Sequence, residues 1–253
     1  MTNPIIPGAE PWSHTGDGQR GALVLHGFTG NPASMRGVAE ALAAAGFHVE
    51  LPLLPGHGTV IDEMLPTRWA DWAGEAEAAY QRLAQRAAHI VVVGLSMGGG
   101  LTLRVGADHP EVAGLVCINP TAQPQAVEIT DMLRDLAAGG TAVLPGIGSD
   151  IADPDAKETA YDGTPVEPLR SMLVDGLEPL SKEYASMHMP LLLMNSPQDH
   201  VVEPVQSQFL ADNYGGPVER ITLERSYHVA TQDYDKDLIF ESTVEFASRV
   251  VAH

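Results

Sequence analysis

The chain has 253 residues, enough for a domain with a substantial buried core, and its 44% hydrophobic and 19% charged residues are typical of a folded globular protein. Its 14 lysines and arginines against 33 aspartates and glutamates give a formal charge of −19, which repels nucleic-acid phosphates and anionic lipid surfaces. We therefore expect no nucleic-acid partner. Since no stretch approaches the ~18 consecutive apolar residues of a membrane span, we also expect no stable membrane insertion.

From residue 22 onward, short apolar runs alternate with helical patterns, as in a parallel sheet with crossover helices. Runs such as LVLH, IVVV and LLLM are apolar on both faces, as in strands covered by helices on two sides. The predicted strands are 22–26, 47–51, 90–94, 114–118, 191–195 and 218–223. The predicted helices are 33–45, 68–87, 97–107, 205–214 and 238–250.

One stretch, from Thr121 to about His188, interrupts this alternation. It contains no convincing strand, and proline and glycine breaks separate short helical patches. We expect residues 121–188 to form a small helical lid, inserted in a core domain of residues 1–120 and 189–253. Some of the apolar lid residues, Leu144 and Ile147 among them, are expected to line a substrate pocket.

The stretch VVVGLSMGGG places Ser96 in a G-x-S-x-G pattern, directly after a predicted strand and before a predicted helix. In such a sharp turn the serine hydroxyl is exposed at the sheet edge. Gly94 and Gly98 leave out side chains that would collide with the neighbouring strand and helix. The pattern alone is weak, but the strand before it and the helix after it indicate a nucleophile.

A nucleophilic serine needs a base, and that base needs an orienting carboxylate. Asp199 follows the predicted strand LLLMNS, and His228 follows the strand VERITLE, so both emerge at the sheet edge where Ser96 lies. The order serine, acid, histidine is the one expected for this turn. We predict His228 as the base and Asp199 as the acid, with Glu203 and Asp233 as alternative acids.

The oxyanion of a tetrahedral intermediate needs preset N–H donors. The backbone N–H of Met97, in the first turn of the helix, is one candidate, and that of Phe28 in HGFTG is the other. Gly27 and Val201 are further candidates for substrate contact. His57, in LPGHG, is a candidate for lining the cleft or for bracing its own loop.

The chain resembles the α/β-hydrolase superfamily and, within it, the small bacterial carboxylesterase and monoacylglycerol lipase group. The resemblance is carried by the stretches LVLHGFTGNPASM, LPLLPGHG and VVVGLSMGGG and by the positions of Asp199 and His228. The resemblance implies a mostly parallel central sheet of six to eight strands with helices on both faces. Six or seven are expected here, because the amino terminus offers no clear opening pair of strands. It also implies hydrolysis of short to medium acyl esters, monoacylglycerols included, through an acyl-enzyme.

Several functions share these residues. A thioesterase, a peptidase or a carbon–carbon hydrolase would use the same triad, and a receptor on a hydrolase scaffold would bind a small apolar molecule without turning it over. No H-E-x-x-H, paired C-x-x-C or G-x-x-x-x-G-K-[ST] motif occurs, so no cofactor or metal is expected. We expect a small-molecule acyl ester as partner and a monomer or weak homodimer.

The location is inferred from cysteine usage and the amino-terminal residues. Cys117 is the single cysteine and lies in the apolar run GLVCIN, so it is expected to be buried and unpaired. Residues 1–20 lack the basic segment and the ~7–15 apolar residues of a secretory signal. Both features predict a cytoplasmic protein.

Overall fold

The computed structural model describes residues 3–146 and 148–252. Its main sheet has seven strands in the order β1-β3-β2-β4-β5-β8-β9, and only the pairing of β1 with β3 is antiparallel. These strands are β1 (Trp12–His14), β2 (Arg20–Leu25), β3 (His48–Leu51), β4 (His89–Leu95), β5 (Gly114–Ile118), β8 (Leu191–Asn195) and β9 (Val218–Thr222). An antiparallel ribbon of β6 (Val143–Pro145) and β7 (Gly163–Pro165) lies between β5 and β8 in the chain.

Helices cover both faces of the main sheet. They are α1 (Arg36–Ala44), α2 (Ile61–Met64), α3 (Trp69–Ala84), α4 (Met97–Asp108), α5 (Val127–Ala138), α6 (Val166–Ser171), α7 (Glu178–Ser181), α8 (Val205–Asn213) and α9 (Lys236–Val250). One apolar core contains residues of α3, α4 and α8, and it continues into the segment between β5 and β8. The second core, on the other face, contains residues of α1 and α9. The mostly parallel sheet between two helical layers confirms the predicted fold class.

One local prediction was confirmed and two were wrong. The amino terminus supplies one short strand, β1, and not an opening pair, and the main sheet has seven strands, within the expected six or seven. The ribbon of β6 and β7 was missed because each strand has three residues and includes proline. The helix predicted over 33–45 begins as a 3₁₀ turn, Pro32–Met35, in which the Asn31 side chain accepts a hydrogen bond from the Ala33 N–H, and becomes α-helical at Arg36.

The structure bears on two further expectations, the burial of the cysteine and the length of apolar helices. Cys117 is fully buried in the first core, as predicted, and burial raises the pKa of its thiol. Within residues 3–146 and 148–252, no helix has the length and apolar character needed to cross a bilayer.

The turn between β4 and α4 depends on glycine. A Cβ on Gly98 would lie 2.2 Å from the carbonyl oxygen of Leu25, and one on Gly94 would lie 2.0 Å from the carbonyl oxygen of Gly98. Both obstacles are backbone atoms, which cannot rotate away. Helix α4 therefore lies against β2 at a distance that a side chain would prevent.

We expect Gly98→Ala to destabilise the protein by about 1–3 kcal/mol or more, because the added methyl group forces α4 away from the sheet. Gly74→Ala is the matched control. Gly74 lies exposed in α3, and apart from the local helix backbone no atom lies within 4 Å of the added methyl, so this change is expected to stabilise by about 0.5–1 kcal/mol. Urea unfolding of both variants checks the pair, and equal effects would contradict the steric argument.

Candidate active site

Ser96 occupies the turn between β4 and α4 in a strained conformation, with φ +58° and ψ −119°. Its backbone N–H donates to the carbonyl oxygen of Ile118 on the neighbouring strand β5 at 3.0 Å, which anchors the turn to the sheet. A non-glycine residue with positive φ costs about 1–3 kcal/mol and persists only where the surroundings enforce it. The turn geometry predicted for the G-x-S-x-G stretch is therefore present.

His228 and Asp199 form a buried pair. The imidazole Nδ1 lies 2.7 Å from Asp199 Oδ2, and the two side chains are 9% and 1% exposed. The other oxygen, Asp199 Oδ1, accepts the backbone N–H groups of Val201 and Val202, both at 2.8 Å. The carboxylate is thus held by two amides while it contacts the ring, and this contact leaves Nε2 of His228 to face other partners.

A cavity of about 400 Å³ lies at the carboxyl ends of the sheet strands and brings these elements together. Ser96, after β4, and His228, after β9, both line it. Its apolar wall comes from the segment between β5 and β8 and includes Leu133, Met172 and Leu173. The volume is that of a small-molecule site, and the cavity joins a hydroxyl, an imidazole and an apolar wall.

The loop after β2 supplies the other side of the cavity. Gly27 and Phe28 line it, and a Cβ on Gly27 would lie 3.3 Å from the Cβ of Ser96. Among the residues that the structure describes, neither the Phe28 N–H nor the Met97 N–H donates a hydrogen bond to another protein group. Two amides next to the nucleophile candidate are therefore free to bind an anionic oxygen.

Some of the residues predicted to contact substrate line the cavity and others do not. Gly27, Leu144 and Val201 line the cavity, and their part in substrate binding stays a prediction. His57 does not belong to the described cavity lining: it is 1% exposed, its Nδ1 lies 3.0 Å from the carbonyl oxygen of Pro55, and it braces its own loop. Ile147 lies outside the described residues.

Two buried histidines lie beneath the Gly27–Phe28 loop. The Leu54 N–H donates to His26 Nε2 at 3.1 Å, so the ring proton is on Nδ1 and donates to the carbonyl oxygen of Gly27 at 3.0 Å. Burial, and then the charge of His57, lower the pKa of His26 to about 3. Burial also lowers the pKa of His57 to about 4, against weaker opposing effects of backbone contacts. Both rings are neutral at pH 7.

The alternative acids are placed elsewhere. Asp233 accepts the backbone N–H groups of Ala152, Asp153 and Tyr227, at 2.7, 3.0 and 2.9 Å, and so joins loops together. Glu203 is exposed at the surface. Neither carboxylate contacts the His228 ring, so Asp199 is the acid that the geometry favours.

Two carboxylates that the sequence analysis missed also line the cavity, Asp150 and Glu158. Burial raises the pKa of the Glu158 carboxyl, and the nearby His228 opposes this shift. Both lie in the irregular connection between β6 and β7. No strand end or motif marks them, so no sequence signal pointed to the site.

Comparisons with known proteins identify the family and the fold of the chain. Residues 22–241 match the alpha/beta hydrolase family. The chain is 40% identical over 249 residues to a thermostable monoacylglycerol lipase from Bacillus sp. (strain H-257), with 97% of each chain covered. A solved structure from work on the metagenome-derived lipolytic enzymes LipS and LipT is 39% identical, with a TM-score of 0.90 over 97% of this chain and 100% of that one. The Paleococcus ferrophilus monoacylglycerol lipase shares the fold at 18% identity, with a TM-score of 0.75 over 95% of this chain and 99% of that one.

Proposed function

Because the chain belongs to the alpha/beta hydrolase family, we propose that it is a serine hydrolase that cleaves carboxylic esters of short to medium acyl chains, monoacylglycerols among them. The observation that carries the proposal is the buried His228–Asp199 pair, which opens onto the same cavity as the strained Ser96. The 40% identity to a monoacylglycerol lipase over nearly the whole chain supports the substrate class.

In the proposed first step, the hydroxyl oxygen of Ser96 attacks the ester carbonyl carbon while Nε2 of His228 takes the hydroxyl proton. Asp199 keeps the other ring proton on Nδ1 and stabilises the positive imidazolium. The carbonyl oxygen becomes an oxyanion, which the N–H groups of Phe28 and Met97 bind. Losing one such donor typically costs about 2.7–4 kcal/mol of barrier.

The intermediate then collapses. The bond from the carbonyl carbon to the alcohol oxygen breaks, and the imidazolium gives its proton to that oxygen, leaving an acyl-Ser96 ester. Water enters, His228 takes its proton, and the hydroxide equivalent attacks the acyl carbon. The proton returns to the Ser96 oxygen as the carboxylic acid leaves, so the chain needs no cofactor in this scheme.

The apolar wall of the cavity supports binding of the acyl chain. It is built from residues between β5 and β8. We propose that residues 121–188 form a lid on a core domain of residues 1–120 and 189–253. Methionines in this wall, such as Met172, adapt to chains of different length because the thioether side chain is flexible. Chain-length preference then follows from how much of the cavity an acyl group fills.

The direct test is hydrolysis by the purified protein of p-nitrophenyl butyrate, p-nitrophenyl octanoate and a monoacylglycerol such as monolaurin. We expect turnover of all three. A fluorophosphonate probe should label the protein once, on the peptide containing Ser96. A protein that binds these esters but neither cleaves them nor reacts with the probe would be a receptor on a hydrolase scaffold, and the proposal would be wrong.

Leu144→Trp should shift the preference toward short acyl chains, because the larger side chain fills part of the cavity. We expect kcat/KM for p-nitrophenyl decanoate to fall about 10-fold or more relative to p-nitrophenyl butyrate. Val127→Trp is the matched control, since Val127 is 63% exposed and is not part of the described cavity lining. Equal losses on both esters in Leu144→Trp would contradict the acyl-pocket assignment.

We also propose that the protein acts in the cytoplasm as a monomer or weak homodimer, on a small-molecule ester, without a nucleic-acid partner or stable membrane insertion. The formal charge of −19 and the single, buried Cys117 support this environment. Cell fractionation and light scattering test the location and the oligomeric state.

A further inference from the structure

Asp150 lies between β6 and β7, far in the chain from the catalytic candidates, yet its side chain reaches the two loops that carry Asp199 and His228. The side chain is 10% exposed and lines the cavity. Its Oδ2 accepts the backbone N–H of His200 and that of His228, both at 3.1 Å. Its Oδ1 lies 2.8 Å from Nδ1 of His200. The carbonyl oxygen of Asp150 also accepts the N–H of Val229 at 3.1 Å.

These contacts join the two loops on which the acid and the base stand. His200 directly follows Asp199 in the loop after β8, and His228 stands in the loop after β9. One carboxylate oxygen therefore sets the distance between the backbone next to the acid and the backbone of the base. The 2.7 Å contact between Asp199 Oδ2 and His228 Nδ1 depends on that distance.

We propose that Asp150 is a positioning residue that holds Asp199 and His228 in register for proton transfer, an inference that rests on the proposed function. It acts through the two amides and does not touch the reacting atoms. Small displacements of catalytic groups, of about 1 Å, can cost about 100-fold in rate, so a brace at this point has a direct effect on turnover.

A second residue, Asn119, also joins the two loops, so the role of Asp150 can be tested without unfolding the protein. Asn119 Nδ2 donates to the carbonyl oxygen of His228 at 2.8 Å and to the hydroxyl of Ser196 at 3.1 Å, and its Oδ1 accepts the Ser196 N–H at 2.7 Å. It thus joins the same two loops through different atoms. Without the Asp150 carboxylate the loops stay attached, and we expect the protein to fold with the acid and base less well aligned.

The test compares Asp150→Ala, Asp150→Asn and His200→Ala with the wild type on p-nitrophenyl butyrate. Asp150→Ala should lower kcat by about 10- to 100-fold with KM within about 3-fold, because the apolar wall proposed to bind the acyl chain is unchanged. In Asp150→Asn the amide oxygen still accepts both N–H groups, so kcat should stay within about 3-fold of the wild type. His200→Ala keeps the backbone N–H and should behave like the wild type.

Several results would overturn the inference: full kcat in Asp150→Ala, equal damage in Asp150→Asn and Asp150→Ala, or a loss confined to KM. If Asp150→Ala does not fold, Asp150→Ser replaces it, since its hydroxyl is too short to reach both amides and the same loss in kcat is expected. A wild type that neither hydrolyses the ester nor reacts with a fluorophosphonate would instead overturn the proposed function.

Discussion

Ser96→Ala is expected to lower kcat for p-nitrophenyl butyrate by roughly 10⁴- to 10⁶-fold, because the hydroxyl is the atom that forms the acyl ester. The methyl group fits the space of the serine side chain, which is 7% exposed, so the fold is expected to be retained. Alanine has to adopt the same strained φ of +58°, so the variant is expected to carry the same strain as the wild type. Initial rates, circular dichroism and urea unfolding measure the two effects separately.

Ser186→Ala is the control for Ser96→Ala. Ser186 is exposed, and its hydroxyl donates to the carbonyl oxygen of Glu183 at 2.7 Å, away from the cavity. This variant should keep wild-type rates and react with the fluorophosphonate. Turnover by folded Ser96→Ala within about tenfold of the wild type would remove Ser96 from the mechanism.

Acid is expected to unfold the protein through the two buried histidines. In the unfolded chain both rings have a pKa near 6.5, whereas in the folded protein burial lowers the pKa values of His26 and His57 to about 3 and about 4. The unfolded state therefore binds more protons as the pH falls below about 6.5. The stabilisation is complete above that pH and is lost progressively down to pH 4 for His57 and pH 3 for His26.

Each ring is expected to lower the unfolding free energy by about 1.4 kcal/mol per pH unit of acidification in this range. The loss from both rings together is a large share of a typical folding free energy. His57→Gln removes one titrating group and should reduce the pH dependence of the unfolding free energy by the amount for one ring between pH 6 and pH 4.5. His89→Gln is the control, since His89 is exposed. Urea unfolding across this pH range gives the slopes. Parallel slopes for the wild type and His57→Gln would contradict the argument.

Local patterns predicted the parts of the site that stand at strand ends. Ser96 and Asp199 follow the apolar strands β4 and β8, His228 follows the partly polar β9, and the carboxyl ends of parallel strands meet at one edge. His57 also follows a strand, β3, but it lies under the Gly27–Phe28 loop. Its ring centroid is 5.0 Å from that of His26 and 5.7 Å from that of Trp72, which shows the limit of this reasoning. Whether a loop side chain faces the cavity depends on packing that the pattern does not contain.

The amino-acid sequence by itself determined the alternation of strands and helices and the glycine-bounded turn at Ser96, and it placed the candidate acid and base after later strands, because these features depend on local periodicity and on steric limits within a few residues. Only the tertiary structure decided that Asp150 lies on the amides of His200 and His228 and that Glu158 faces the cavity. Both come from an irregular segment without periodicity. Their positions follow from how that segment packs against loops 50 and more residues away, which is settled by the whole fold at once.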